Sequence, residues 1–264
     1  MNTGFARGNN LIIAEVRTSL VALLNPDAIP EPGWVRALIE AAERHPDVAM
    51  FGSTQISMLD PSRFDGVGDN YLAVGVPWRG GYGHPVDTVP PEYEVFSPCA
   101  AAAMYRTEMF RSVGGFDERF FCYVEDVDLG FRLRLIGSCC VQVATAVVHH
   151  ADGASSATRN NDFARYYGTR NMIWTFVKNM PGPLFWLLLP GHVATLMFLT
   201  IRALLRGDAG ATFQGIGAAF TDMAGIWSER CRIQSCRKVT VRAIANAMCW
   251  NPSTYLRRAP FIRL

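Results

Sequence analysis

Hydrophobic and polar positions in the first third of the chain alternate between strand-like and helix-like segments. Leu20–Leu24 is a short apolar run that stops at a turn sequence, which predicts a buried strand. Apolar positions between residues 35 and 42 recur at helical spacing and predict a helix, and residues 48–53 predict a second strand. This strand, helix, strand order predicts an α/β fold built on a sheet.

The middle of the chain predicts a long loop followed by further sheet elements. Residues 60–95 are rich in Gly, Pro and Asp and include the aromatic residues Trp78 and Tyr82. A loop of this length inside a compact domain is usually a binding loop or a lid. Beyond it, Asp126–Ile136 predicts a helix and Val141–Val148 predicts a strand.

The last 106 residues differ in character from the rest of the chain. Asn179–Ile201 contains no charged residue, and its 23 residues are enough to cross a bilayer, which needs about 20. Pro190 interrupts this segment, so two shorter helices lying in the membrane interface are an equally good prediction. The basic segment 230–242 follows, and a polybasic segment of this kind binds anionic lipid.

Charge divides the chain at the same place, although the formal net charge of the whole is only +2. Residues 1–158 carry 11 basic and 19 acidic side chains, whereas residues 159–264 carry 14 basic and 4 acidic ones. We therefore predict a domain over 1–158 and a helical C-terminal region over 159–264, with an apolar segment at 180–201. An anionic membrane surface explains both the basic charge and the uncharged stretch, whereas nucleic-acid binding explains only the charge.

Four acidic or imidazole side chains stand where an α/β sheet carries chemistry. Asp27 follows the first predicted strand, at the sheet edge where ligands bind, and a carboxylate there suits a divalent cation. Glu125 and Asp126 begin a predicted helix, where like-charge repulsion would raise one pKa as a general base requires. His149 ends a predicted strand and could ligate a metal. The structural alternatives are an Asx-turn, a helix N-cap and a hydrogen-bonded core histidine.

Two further positions carry weaker signals. Gly4 belongs to a segment in which glycines flank a basic residue before Asn10, and backbone N–H groups there could hold a phosphate. Arg132 follows Asp126 by six residues, and its structural alternative is a solvated helix face.

These segments together resemble the inverting family 2 glycosyltransferases of the GT-A fold, especially their rhamnosyltransferase-like bacterial members. Asn2–Asn10 resembles the family's N-x-G-F-x-x-x-N segment, and Leu23–Asp27 resembles its L-L-N-x-D form of the D-x-D site. Gly114–Arg132 resembles its G-G-F-D-E-x-F-F-x-Y-x-E-D-x-D-L-x-x-R block. Val148–Ser155 resembles its V-H-x-x-x-x-S ending, and Tyr166–Asn171 resembles the helix that follows.

The resemblance implies a fold and a set of catalytic roles. The fold is a Rossmann-like mixed sheet with a helical, membrane-associating C-terminal region. Asp126 would deprotonate the acceptor hydroxyl, and Glu125 would position the acceptor or the base. Asp27, with His149 as a further ligand, would hold Mg²⁺ or Mn²⁺ on the diphosphate of a nucleotide-sugar donor.

The resemblance also implies the binding residues and the place of action. Donor binding would involve the metal ligand Asp27 together with Gly4, Asn10, Asn25 and Arg132. Acceptor binding is assigned to Trp78, Tyr82 and Cys99. The acceptor would be a glycan or a lipid-linked glycan, the candidate sugar is rhamnose, and no nucleic acid is involved. We expect a peripheral or monotopic protein at the cytoplasmic face of the bacterial inner membrane.

Two departures from the family pattern leave other functions open. Asn25 replaces the first acid of a strict D-x-D site, and the family's first strands, which hold the nucleobase, would precede Asn2. The expectation is therefore an N-terminally incomplete domain, and the alternative function is that of a truncated, inactive relative that acts as a membrane-bound binding protein. A metal-dependent phosphohydrolase is the third hypothesis, but it would need more ligands than Asp27 and His149 supply.

Overall fold

A mixed β-sheet forms the centre of the protein. The structure is a computed structural model that describes residues 2–86, 89–151 and 161–263. Its strands, in chain order, are β1 (Leu20–Leu24), β2 (Ala28–Pro30), β3 (Met50–Ser57), β4 (Phe64–Gly66), β5 (Asp69–Leu72), β6 (Val76–Arg79), β7 (Glu92–Val95), β8 (Ala102–Arg106) and β9 (Cys140–His150). The first two strands predicted from the hydrophobic pattern correspond to β1 and β3.

Strand order explains why distant segments meet at one edge. The main sheet runs β1-β8-β3-β9-β2, with β4 paired to β3 and β7 paired to β9. Strands β3 and β9 are parallel, and β8 is antiparallel to both β1 and β3. The carboxyl ends of β1, β3 and β9 therefore lie at the same edge of the sheet, where ligands bind in open α/β sheets.

The helices cover the sheet and continue beyond it. Among the described residues they are α1 (Gly4–Glu15), α2 (Trp34–Arg44), α3 (Thr107–Ser112), α4 (Glu125–Leu135), α5 (Asn161–Asn179), α6 (Gly182–Leu205), α7 (Gly210–Thr221), α8 (Met223–Ser235), α9 (Val241–Ala247) and α10 (Pro252–Leu256). Helix α2 presents Trp34, Leu38, Ala41 and Ala42 to the core. These residues recur at i, i+4, i+7 and i+8, which is the spacing of one helix face.

The segment 60–95 is more ordered than the sequence predicts. It contains β4 to β7, and β5 and β6 form a separate two-stranded sheet, called here the hairpin. Gly75 at its turn has φ +91°, a left-handed conformation that glycine adopts without strain. The prediction of an unstructured loop is wrong because short strands broken by glycines give no long alternating pattern.

Helix α4 begins one residue earlier than expected, and its N-cap is different. Val124 caps the helix in a left-handed conformation with φ +68°, so Asp126 lies in the first turn. Phe121 and Tyr123 also have positive φ values. Three non-glycine residues in this conformation within four positions are strained and need support from their surroundings.

A single core cluster joins the sheet region to the C-terminal helices. Phe120 and Phe131 pack with Ile173, Phe176 and residues of α6 to α9. The proposed division at residue 158 therefore separates regions of different composition that share one core. The predicted segment Val148–Ser155 is described only as far as Ala151, and its end at Ser155 lies outside the described residues.

Helix α6 runs without a break through Pro190. Of the two alternatives left open by the sequence, a continuous helix is the one observed. By length and composition α6 could cross a membrane, and 22% of its most apolar window is buried inside the protein.

Candidate active site

A cleft of about 840 Å³ opens at the sheet edge where β1, β3 and β9 end. The predicted site residues that line it come from five separate parts of the chain. They are Gly4, Asn25, Asp27, Trp78, Tyr82, Cys99, Glu125 and Asp126. The fold thus brings the strand-end aspartate and the acidic helix start together, as the sequence hypothesis requires.

Asp126 faces the cleft from the first turn of α4. Its Oδ2 accepts a hydrogen bond of 3.0 Å from the backbone N–H of Ala100, and its Oδ1 accepts one of 2.8 Å from that of Val127. Burial raises the pKa of Asp126 above its usual range, although these N–H groups oppose the shift. A carboxylate that is held in place and raised in pKa has the properties of a general base.

Glu125 lies beside Asp126 but is buried, with 6% of its surface exposed. Burial, and then the neighbouring charge of Asp126, raises its pKa well above the usual range. Its Oε2 has no hydrogen-bond partner within the described ranges. Asp126 is the more accessible of the two carboxyl groups, which favours it as the one that meets an incoming hydroxyl.

Asp69, which the sequence did not single out, completes a cluster with Cys99 and Asp126. One ligand-type atom from each of the three lies within 4.8 Å of the others. Burial, and then the charge of Asp126, raises the pKa of Asp69 well above the usual range, and burial raises that of Cys99 to about 12. Two buried carboxyl groups in contact share a proton rather than both ionising. This cluster is therefore suited to holding a proton next to Asp126.

A second group of polar side chains lies where β9 ends and the segment after β1 passes beside it. His150 Nε2 is 3.4 Å from Asp27 Oδ1, and His150 Nδ1 is 2.8 Å from Asp65 Oδ2. Backbone pairing explains the contact, because Ala28 in β2 is opposite His150 in β9. Arg79 forms an ion pair with the same Asp65 oxygen.

Asp27 and His150 fit the chemistry of a divalent cation. Asp27 Oδ1 and His150 Nε2 are both buried and accept or donate no hydrogen bond among the residues described. An oxygen and an imidazole nitrogen that face each other without partners are suitable ligands for Mn²⁺ or Mg²⁺. Asp65 would orient the imidazole from the other ring nitrogen, as carboxylates commonly do for histidine ligands.

His149, the metal ligand expected from the sequence, is directed elsewhere. Its Nε2 lies 2.9 Å from Glu31 Oε1, and both side chains are partly exposed. Neighbouring residues of a strand point to opposite faces of the sheet, so only one of His149 and His150 can face the cleft. His149 therefore does not face Asp27, and His150 is the histidine of this pair that does.

Two residues expected to bind the donor also lie away from the cleft. Asn10 exchanges hydrogen bonds with the backbone of Phe116, at 2.8 and 2.9 Å. Arg132 is buried in an ion pair with Asp128, at 2.8 Å, and donates to the carbonyl of Val113. Both side chains hold the segment before α4 in place, which corrects their assignment to donor binding.

The three residues assigned to the acceptor differ in accessibility. Trp78 is buried, and its indole N–H donates to the carbonyl of Ala259 at 3.1 Å. Tyr82 is 40% exposed, with Arg258 over its ring at 5.0 Å. Cys99 is buried beside Asp126. Of the three, Tyr82 is the side chain that an acceptor could contact most readily.

Helix α5 holds the strained segment that precedes α4. The Asn171 amide, fully buried, lies within 3.0 Å of the carbonyl oxygens of Phe120, Cys122 and Tyr123. Arg170 donates to the carbonyl of Phe120 as well. These bonds help to satisfy the carbonyl groups of this irregular backbone segment. They also fix the start of α4 and with it the positions of Glu125 and Asp126.

The sheet order and the cleft at its edge define the class of the protein, which is the GT-A fold of glycosyltransferases. A solved structure of GalNAc-T7 with UDP, GalNAc and Mn²⁺ matches it with a TM-score of 0.50 and 10% sequence identity. The match covers 67% of this chain and 35% of that one. At this identity the likeness is one of fold.

Sequence comparison then gives the family. Residues 1–114 match the model described as glycosyl transferase family 2. The chain is 32% identical over 207 residues to N-acetylglucosaminyl-diphospho-decaprenol L-rhamnosyltransferase of Mycobacterium tuberculosis, a match that covers 70% of this chain. It is also 32% identical over 169 residues to the O-antigen biosynthesis protein RfbC of Myxococcus xanthus, covering 58% of this chain and 12% of that protein. The chain belongs to glycosyl transferase family 2 and is rhamnosyltransferase-like.

The matched region is part of a longer protein in both of these relatives. This chain spans 65% of the length of the mycobacterial enzyme. The activity of the whole relative is therefore a basis for proposals about this chain.

Proposed function

We propose that this protein transfers a sugar, with rhamnose as the candidate, from a nucleotide-sugar donor to a lipid-linked glycan acceptor. The observation that carries the proposal is that Asp27 and Asp126 line the same cleft. The similarity to a rhamnosyltransferase named for an N-acetylglucosaminyl-diphospho-decaprenol acceptor supports the choice of sugar and acceptor.

The proposed donor side of the cleft is built on Asp27 and His150. A Mg²⁺ or Mn²⁺ ion bound there would neutralise negative charge on the donor diphosphate, which stabilises its departure. Asn25 and Gly4 also line this cleft and remain candidates for donor contacts. Arg79 adds a positive charge close to Asp65 on the same side.

The proposed chemical step is a single displacement with inversion. Asp126 accepts the proton of the acceptor hydroxyl as its oxygen forms a bond to the anomeric carbon of the donor sugar. The bond from that carbon to the diphosphate oxygen breaks, and the nucleoside diphosphate leaves with the electron pair. One step at one face of the sugar gives a product of inverted anomeric configuration.

The proposed location is the cytoplasmic face of the bacterial inner membrane. Exposed apolar side chains on α6 and the basic charge of residues 159–264 support contact with an anionic bilayer. A lipid-linked acceptor would be presented at such a surface.

A transfer assay with the purified chain tests the proposal. Nucleotide-sugars that include nucleotide-activated rhamnose are each incubated with Mn²⁺ and a polyprenyl-diphosphate-linked N-acetylglucosamine acceptor. We expect a glycosylated lipid product, whose anomeric configuration by NMR is the inverse of that in the donor. Retention of configuration would overturn the proposed single displacement in which Asp126 is the base. Acceptor binding without transfer from any donor would favour the inactive binding protein instead.

A further inference from the structure

Helix α6 has two apolar faces, and only one of them is covered. The face toward the protein recurs at i, i+4 and i+8 through Leu184, Leu188 and His192 and ends at Ala203. The opposite face is exposed along the whole helix. Its large side chains, here called the outer face, are Trp186, Leu187, Val193, Met197, Phe198, Ile201, Leu204 and Leu205.

The outer face is unusually large and nearly uncharged for a surface helix. Its members range from 46% exposed at Val193 to 85% at Leu205. Arg202 is the one formally charged residue within α6, and Arg206 follows the helix directly. An apolar patch that extends from Trp186 to Leu205, roughly 30 Å along the helix, is a docking surface rather than ordinary solvent-facing helix.

Contacts along the covered face hold α6 against the protein over its length. Near its start, the ring of Phe185 lies 5.5 Å from that of Phe176. At its middle, His192 stacks on Phe176 at 4.1 Å and lies 2.8 Å from the carbonyl of Val74, at the hairpin turn. Further on, Leu196 and Leu199 pack against the hairpin. A helix attached along its length in this way cannot be surrounded by lipid.

We propose that α6 docks on an anionic lipid bilayer with its axis in the plane of the membrane, the outer face entering the acyl boundary. Spanning the bilayer would draw the attached hairpin, with its buried Asp69 and Asn70, into hydrocarbon, where polar groups are costly. Lying flat requires no such transfer. The proposal rests on the proposed function insofar as a lipid-linked acceptor needs an enzyme at the membrane surface.

Basic residues next to the outer face favour anionic lipid as the partner that covers it. Arg202 and Arg206 are exposed at one end of the face, and the C-terminal region carries 14 basic against 4 acidic residues. Basic residues at the edge of an apolar helix face favour anionic headgroups. Trp186, 65% exposed at the other end, is of the residue type that favours the interface between headgroups and acyl chains.

The docked helix would also set the position of the cleft relative to the membrane. The hairpin turn at Val74 contacts α6, and the opposite end of the hairpin places Asp69 and Arg79 in the cleft. That end is three residues along each strand from the turn, roughly 10 Å. A diphosphate-linked sugar at the headgroup level is within reach over such a distance.

A binding experiment tests the docking surface. Full-length protein is sedimented with vesicles of equal parts phosphatidylglycerol and phosphatidylethanolamine, and the variant Leu187→Glu/Phe198→Glu is compared with Ile12→Glu. Ile12 is a matched control because it is 70% exposed but belongs to α1. We expect the double variant to lose at least about tenfold in vesicle binding and the control to keep it, with both folded by circular dichroism. Equal binding by all three proteins would overturn the proposal.

A depth measurement distinguishes lying flat from spanning. Nitroxide labels are attached to Trp186→Cys, Met197→Cys or Leu205→Cys, each in a background that replaces the two exposed cysteines, Cys231 and Cys236, by serine. Equal, shallow immersion at all three positions supports the in-plane helix. A deep middle label between two shallow ones would show spanning, and no immersion with dimers in solution would show that a second copy covers the face. Either result overturns the proposal.

Transfer activity measured with two acceptors distinguishes failure of the membrane-docking inference from failure of the proposed function. With a water-soluble N-acetylglucosaminyl diphosphate acceptor, Leu187→Glu/Phe198→Glu should transfer sugar at the unaltered rate. With the lipid-linked acceptor in vesicles, it should lose transfer in proportion to its loss of binding. Loss of both activities in a folded variant would overturn a docking role for these side chains. Deletion of residues 180–264 is a poorer test, because it would uncover Phe176 and the core around it.

Discussion

His150 lies between two aspartates, with its Nε2 3.4 Å from Asp27 Oδ1 and its Nδ1 2.8 Å from Asp65 Oδ2. The two carboxylates reach this imidazole from different parts of the sheet, one from the turn after β1 and one from the middle of β4. Asp65 fixes the orientation of the ring, which leaves Nε2 facing Asp27. This relationship gives the donor side of the cleft its candidate cation ligands.

Replacing His150 by alanine should weaken binding of Mn²⁺ by about tenfold or more, because one of two facing ligands is lost. His149→Ala is the matched control, since the adjacent imidazole pairs with Glu31 outside the cleft. Titration of Mn²⁺ by isothermal calorimetry measures both variants. A larger loss in His149→Ala than in His150→Ala would reverse the assignment.

Replacing Asp126 by asparagine should reduce transfer by about 10²–10⁴-fold, because the amide cannot accept the acceptor proton. Donor and Mn²⁺ binding should stay nearly unchanged, since their proposed ligands are elsewhere in the cleft. Steady-state transfer and donor binding are measured on the same preparation. Normal turnover by this variant would remove Asp126 from the mechanism.

Asp69 should act on Asp126 as a neutral hydrogen-bond donor. Burial raises the pKa of Asp69 well above its usual range, so it keeps a proton while Asp126 is ionised. Asp69→Asn preserves a donor and should keep most of the activity. Asp69→Ala removes it, and transfer should fall on the order of tenfold, the effect of losing a hydrogen bond to a charged group.

The same pair of variants gives a pH test of the cluster. In the proposed mechanism Asp126 works ionised, and its pKa is raised. Activity should therefore fall with decreasing pH at a higher pH than for an ordinary aspartate. Without a donor at position 69 the ionised form loses stabilisation, and this acid limb should move further upward in Asp69→Ala. Asp69→Asn is the control, with Glu125, Cys99 and Arg79 still facing the cluster. An identical acid limb in both variants would contradict the donor role.

The sequence could place the acidic pair and Asp27 near each other, and they line one cleft, because strand ends and helix starts of an α/β sheet meet at one edge. It named His149, whereas His150 faces Asp27, because the choice depends on which face of β9 points toward the cleft. Asp69 and Arg79 were missed because their strands are only four residues long and are flanked by glycines. Their contact with Asp126 and Asp65 depends on how the hairpin folds against the sheet.

Arg132 and Asn10 show a different limit of sequence analysis. Both belong to segments that resemble the family motifs, and both are used to hold the backbone around Phe116 and Val113. A motif residue that contacts the substrate and one that supports its neighbours look the same in a sequence. Burial of the Arg132 ion pair with Asp128 distinguishes them in the structure.

Lys178 should be a main determinant of stability, because it joins α5 to the start of α4 from a fully buried position. Its Nζ lies 2.9 Å from Asp128 Oδ1 and also pairs with Asp117. Lys178→Met would leave buried carboxylates without this cation, and we expect the free energy of unfolding to fall by about 3 kcal/mol. Arg63→Met is the control, since the exposed Arg63–Asp60 pair should contribute less than about 1 kcal/mol.

The pH dependence of stability provides the decisive measurement on Lys178. Although burial opposes it, Lys178 together with Arg132 holds the pKa of Asp128 below its usual range. A carboxylate with a lowered folded-state pKa contributes stability at pH values above its unfolded pKa of about 4, and this contribution is lost as pH falls through the folded pKa. Urea unfolding from neutral to acid pH should therefore show a smaller acid-induced loss in Lys178→Met than in the wild type. Parallel curves would show that Lys178 does not stabilise the ionised carboxylates.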